Sequence, residues 1–145
     1  MLADTLLAVA HHLLAFGLLA ILVAELILLA AATPDAAWRV RLARLDAGYG
    51  AVAGLLIAVG IGRLFWGAKG AAYFLENPLF WAKMAVFAGV GLVSLAPTLA
   101  ILRWRRATDL PAPAEVAKLR RLLWLELALF AAIPVLAALM VRFGG

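Results

Sequence analysis

"LLAVAHHLLAFGLLAILVAELILLAAA" (Leu6–Ala32) is an apolar run interrupted by only three ionisable side chains, His11, His12 and Glu25. A helix needs about 20 predominantly apolar residues to cross the roughly 30 Å hydrocarbon core of a bilayer. The run is longer than that, and it predicts a transmembrane helix. Its flanks argue against a cleaved signal peptide. The first Lys or Arg is Arg39, so a basic n-region is missing, and the run exceeds an h-region of about 7–15 residues.

The rest of the chain has the same character. Of its 145 residues, 68% are hydrophobic and 14% charged, with a mean hydropathy of +1.08. A soluble domain is about half apolar and about a quarter charged. Three more segments reach spanning length, so the expected helices cover about 6–32, 47–66, 79–102 and 122–141. "ATPDA" ends the first, "ENP" precedes the third, and "DLPAPAE" (Asp109–Glu115) marks a loop before the fourth. The expected fold is all-α, an integral membrane four-helix bundle forming one domain over residues 1–145. No internal repeat signals the inverted halves of a transporter.

Charge sets the orientation. Arg39, Arg41 and Arg44 fall between the first and second spans. Arg103, Arg105, Arg106, Lys118, Arg120 and Arg121 fall between the third and fourth. The other side has only Lys69 and Arg142. The positive-inside rule then puts both termini outside. The net charge of +5 is therefore a topology signal rather than a nucleic-acid patch. The absence of cysteine excludes disulfides, thiolate metal sites and cysteine nucleophiles. There is no zinc-hydrolase spacing, phosphate loop or nucleophile elbow.

Small residues let membrane helices approach closely. Gly50 and Gly54, with Gly60, Gly62, Gly89 and Gly91, are expected to pack inside the bundle, with a dimer face as the alternative. Pro97 in "SLAPT" and Pro134 remove backbone bonds and are expected to kink the third and fourth helices.

Ionisable groups inside a membrane are rare and usually face the bundle interior. By depth, His11, His12, Arg63 and Lys83 form an outer cationic group, and Glu25, Asp46 and Glu126 an inner acidic one. His11 and His12 are about 100° apart on a helix, so only one of them faces the interior squarely. His11 and Glu25 are 14 residues apart, close to four turns, and share a face. His12 is expected to face a neighbouring helix, a partner or the interface. Arg63 and Lys83 either snorkel to headgroups or hold an anionic ligand such as a carboxylate. Asp46 reads as a helix N-cap before "AGYG" or as a partner of Arg41 or Arg44. Glu25 and Glu126, each inside an apolar stretch, either pair with basic residues or keep a proton, which makes them candidate catalytic groups for proton transfer.

Two cofactors suit this set. Haem b is common in membrane four-helix bundles, with imidazole as axial ligand and basic residues on its propionates. Both histidines lie on one helix, which excludes a bis-histidine haem within one subunit. A five-coordinate haem, Lys83 or a methionine as second ligand, and a haem shared across a dimer stay open. Copper is the alternative, since Cu(I) accepts imidazole and thioether and His11, His12, Met84 and Met140 lie at similar depth. A third reading is a cofactor-free accessory subunit of a larger membrane complex.

At "HHLLAF", "RLDAGYGAVAGLLIAVGIGRLF", "KGAAYFLENPLFWAKM" and "SLAPTLAILRWRR" the chain resembles a family of small, functionally uncharacterised bacterial membrane proteins. More distantly it is similar to HemJ-type protoporphyrinogen oxidases and to the membrane domain of CopD-type copper proteins. The HemJ resemblance rests on His11 or His12, on Lys83 in "FWAKMAVF" and on Glu126 in "LRRLLWLELALF". It implies haem b binding and porphyrinogen oxidation, the work of a haem-dependent oxidoreductase. The expected location is the bacterial inner membrane. Expected partners are the lipid bilayer and a second copy or a larger membrane complex.

Overall fold

The structure is a computed structural model and describes residues 2–31 and 34–143. Five helices follow one another: α1 (Leu2–Ala31), α2 (Ala36–Trp66), the short α3 (Gly70–Leu75), α4 (Pro78–Arg106) and α5 (Pro113–Phe143). The four long ones are apolar enough and long enough to cross a membrane. At 1.5 Å per residue each is about 45 Å long, which spans hydrocarbon and headgroups together.

These helices run past the apolar segments because nothing in the flanking sequence stops them. The largest extension is at α2. "AAWRVRLARLD" was expected as loop, but it contains no Gly or Pro and is helical from Ala36. Asp35 is the N-cap, accepting a hydrogen bond from the Trp38 amide. Asp46 is therefore ten residues inside the helix and is not the cap. Asn77 caps α4, accepting from the Leu79 amide at 2.9 Å, with Pro78 in the first turn where its missing N–H costs nothing. Pro97 and Pro134 lie inside α4 and α5 without ending either helix.

The long helices pack as a ring in which α1 touches α2 and α5, and α4 touches the same two. Their seams show in the burial pattern. α1 buries Leu18, Leu22, Glu25 and Leu29, and α5 buries Leu119, Leu123, Glu126 and Phe130. The two steps are the same, four residues, then three, then four, with glutamate in the same place. Alternating three- and four-residue steps are the seam of helices that cross at a shallow angle. Gly17 faces Val52, Gly48 faces Ile21 and Gly60 faces His11, which fixes α1 and α2 antiparallel and close.

Outside the seams the surface is apolar. Leu13, Phe16, Leu92, Leu99 and Val141 are all about two-thirds or more exposed, while Glu25 is 2% and Glu126 1% exposed. That inversion, apolar outside and charged inside, is what a lipid solvent selects. Gly50, Gly54, Gly89 and Gly91 have no neighbour within 4 Å of a built Cβ. The expected tight packing at the Gly50–Gly54 pair is thus not found, since both point away from the bundle.

The two ends differ. At one, the Arg39 guanidinium donates to the Trp104, Ala107 and Asp109 carbonyls, capping the C-terminus of α4 with a cation. Trp38 donates to the Leu28 carbonyl at 3.1 Å and packs at 6.0 Å from Trp104. This is the arginine-rich end. At the other lie the start of α1, the end of α5, and α3, entered through Gly70 at φ 73°. Asp4 accepts from the Ala68 amide at 3.1 Å there, and exposed Trp66 and Trp81 provide the aromatic belt of a membrane interface.

Candidate functional site

The interior of the bundle holds two polar layers, and helix register decides which residues meet. At the terminal end, α1 presents His11, α2 presents Gly60 and Arg63, and α4 presents Lys83. The His11 ring lies against Gly60, where an added Cβ would stand 3.6 Å from Cε1 and 3.8 Å from Nδ1. Arg63 and Lys83 are both within Coulombic reach of His11, and of each other. Lys83 Nζ also lies 5.3 Å from the centroid of the Phe80 ring, within the range of a cation–π contact.

Two nitrogens in this layer are buried without a hydrogen-bond partner, His11 Nδ1 and Arg63 Nε. The only ion pair among the described residues is Arg103–Glu115 at 3.1 Å, on the surface of the arginine-rich end. A buried polar atom without a partner is costly, and here two of them belong to a set of three basic groups.

His12 takes no part. It is exposed on the outside of α1, and its Nδ1 donates to the Ala8 carbonyl one turn back at 2.6 Å. His11 is thus the interior histidine and His12 the outward one. Arg63 and Lys83, for which headgroup snorkelling was the alternative, are half-buried and turned to the interior. Met140 is buried 14 residues along α5 from Glu126, the same interval as His11 from Glu25, and shares the depth of His11.

The second layer lies toward the arginine-rich end, about 21 Å along α1 from His11. It gathers Glu25 from α1, Asp46 and Tyr49 from α2, Thr98 from α4 and Glu126 from α5. Thr98 Oγ1 donates to Asp46 Oδ1 at 2.7 Å. The Tyr49 hydroxyl lies toward Glu126 from the opposite side of the bundle. The three carboxyls are mutually within Coulombic reach. Glu25 Oε1 and Glu126 Oε1 are buried with no partner. The expected pairing of Asp46 with Arg41 or Arg44 is not formed, because both arginines are exposed on the outer face of α2.

Apolar residues close this layer on both sides. Leu18, Leu22, Leu56, Val90 and Phe130 lie between it and His11. Trp38, Leu42, Ile101, Trp104 and Leu119 form its floor. Among the described residues no three His, Asp or Glu side chains converge as a metal ion requires.

Sequence reasoning brings His11, Arg63 and Lys83 together and separates them from Glu25 and Glu126. It misses Tyr49 and Thr98. For Tyr49 a signal exists, since it falls three residues after Asp46 and seven before Leu56 on one seam. For Thr98 the signal is hidden by Pro97, which draws attention to the backbone rather than to the hydroxyl beside it.

No curated protein and no solved structure matches the chain. A family model described as "Predicted membrane protein (DUF2214)" matches residues 3–144, almost the whole length, and the chain belongs to that membrane protein family.

Proposed function

We propose that the protein is a membrane-embedded binding protein whose basic layer takes a ligand with carboxylate groups, and that this ligand is haem b or a related tetrapyrrole. One observation carries the reading: His11 Nδ1 and Arg63 Nε are buried without partners. No acidic side chain is among the groups that bear on His11. An anion supplies what that layer lacks.

The donor set fits haem b in its chemistry. The His11 imidazole would hold the iron, and a guanidinium and an ammonium match two propionates in number and sign. Bound haem b would supply one-electron redox chemistry. The chain's own residues bind and orient. Arg63 offers paired N–H donors to a carboxylate, Lys83 a compact point charge, and α2 braces the His11 ring at Gly60. Under the positive-inside rule this layer faces outward in a bacterial inner membrane, so the ligand would arrive from that side. Glu25 and Glu126, about 21 Å away, would act on protons in their own layer.

Purified protein titrated with haem tests the reading. Wild type and His12→Ala are expected to take up one haem per chain and show a Soret band, and His11→Ala is expected to lose it. Arg63→Ala is expected to bind at least about 30-fold more weakly, which corresponds to the loss of about 2 kcal/mol for one partner of a buried charge-assisted bond. Unchanged uptake by both histidine variants would remove His11 as ligand. Failure of the wild type to bind haem would remove the cofactor. Cu(I) binding that weakens in Met140→Ala and Met84→Ala would move the reading to copper. Stable co-purification with one larger partner and no cofactor would move it to an accessory subunit.

A further inference from the structure

We propose that Glu25, Asp46 and Glu126, linked to Thr98 and Tyr49, form one proton-binding site in the membrane interior, with bound protons as the counter-charge that no side chain supplies. The site is separate from the basic layer and does not depend on what that layer binds.

The argument starts from what surrounds Glu25. From α2 it meets Asp46 and Tyr49, and from α5 Glu126. From α4, Thr98 reaches the cluster through its bond to Asp46. None of these is a cation. The nearest arginines by depth are engaged or turned away. Arg39 is held by three carbonyls of the α4 terminus, Arg103 pairs with Glu115, and Arg41, Arg44, Arg120 and Arg121 are exposed. An ionised carboxylate buried without a partner is among the most costly arrangements in a protein, and three in mutual reach add repulsion to that cost.

Glu25 and Glu126 give the second, independent sign. Both are at least 98% buried, and each keeps one carboxyl oxygen without any partner. A carboxylic acid can donate as well as accept, so protonation adds donors to carboxyls that, when ionised, only accept. A metal ion would neutralise the charge too, but the three carboxyls do not converge as metal ligands do. Protons need no such convergence. Because the groups interact, their protons leave as steps of the set rather than of single residues.

Dicyclohexylcarbodiimide, an apolar reagent that attacks protonated carboxyls from the bilayer, tests this on full-length protein in liposomes, with labelled peptides mapped by mass spectrometry. Label is expected on Glu25 or Glu126, falling as pH is raised and unchanged by Na⁺ or Mg²⁺ at fixed pH. Glu126→Gln and Asp46→Asn are expected to move the pH at which Glu25 is labelled by about one unit, about tenfold in protonated fraction. Absence of label at every pH, or suppression by either metal ion at fixed pH, would overturn the proposal. An unmoved Glu25 profile in both folded variants would overturn the shared site. The wild-type profile decides the central point even if a variant fails to fold.

Discussion

At the terminal end of the bundle, His11, Arg63 and Lys83 bring three nitrogen bases together. About 21 Å along α1, Glu25, Asp46 and Glu126 bring together three carboxyls. Both layers follow one construction rule, a polar side chain placed on a seam that is otherwise apolar. Opposite charges in one bundle would ordinarily neutralise each other, and here Leu18, Leu22, Leu56, Val90 and Phe130 hold them apart. The difference in sign is where the two proposals part: an anionic ligand for one end, bound protons for the other.

Breaking the separation gives the largest expected effect. Leu22 is 0% exposed and lies one turn from Glu25 on the side of His11. Leu22→Ala removes apolar contacts and leaves a cavity beside the carboxyl layer, at an expected cost of about 2–5 kcal/mol. Thermal unfolding in mild detergent measures it. An effect below about 1 kcal/mol would show that the apolar layer is loosely packed and does not isolate the two polar ones.

Next in size is the hydrogen bond from Thr98 to Asp46 inside the carboxyl layer. Thr98→Val keeps the shape of the side chain and removes the donor to Asp46. A bond to a charged group contributes about 1.5–3 kcal/mol, a neutral one nearer 1. The same unfolding measurement thus also reports the state of Asp46. A loss near 1 kcal/mol fits a protonated cluster, and one near 3 fits an ionised Asp46. Asp46→Asn, which still accepts from Thr98, is expected to cost less than Thr98→Val.

The reach of the sequence differs between the same two layers. Membrane class and the number of spanning helices follow from run length, because lipid imposes a length that a sequence states directly; the short α3 leaves no such trace. The basic layer was legible as well. His11 shares a helical face with Glu25 by counting turns, and Arg63 and Lys83 fall at matching depth. The carboxyl layer was only half legible. Asp46 follows three arginines within eight residues, a composition that resembles a loop, so it reads as a cap or an ion-pair partner. In the fold that segment is the first three turns of α2: Arg41 and Arg44 point outward, Arg39 reaches the end of α4, and Asp46 points in. Side-chain direction within a helix extended by eleven residues is a property of packing against α1 and α4, and composition does not report it.

Glycine makes the last and smallest test, because it contrasts inside with outside on a single helix. Gly60 faces His11, with ring atoms 3.6 and 3.8 Å from a built Cβ. Gly54, six residues earlier, has nothing within 4 Å and faces lipid. Leucine at position 60 has to push the imidazole out of the basic layer, and overpacking of this kind costs about 1–3 kcal/mol. Leucine at position 54 meets only acyl chains and is expected to stay within about 0.5 kcal/mol of wild type. Gly60→Leu should also lose ligand binding along with stability, whereas Gly54→Leu should keep both. If Gly54→Leu instead destabilised the protein or changed its oligomeric state, the outward face of α2 would be a helix contact. The separation of a polar interior from a lipid-facing exterior would then fail on that side of the bundle.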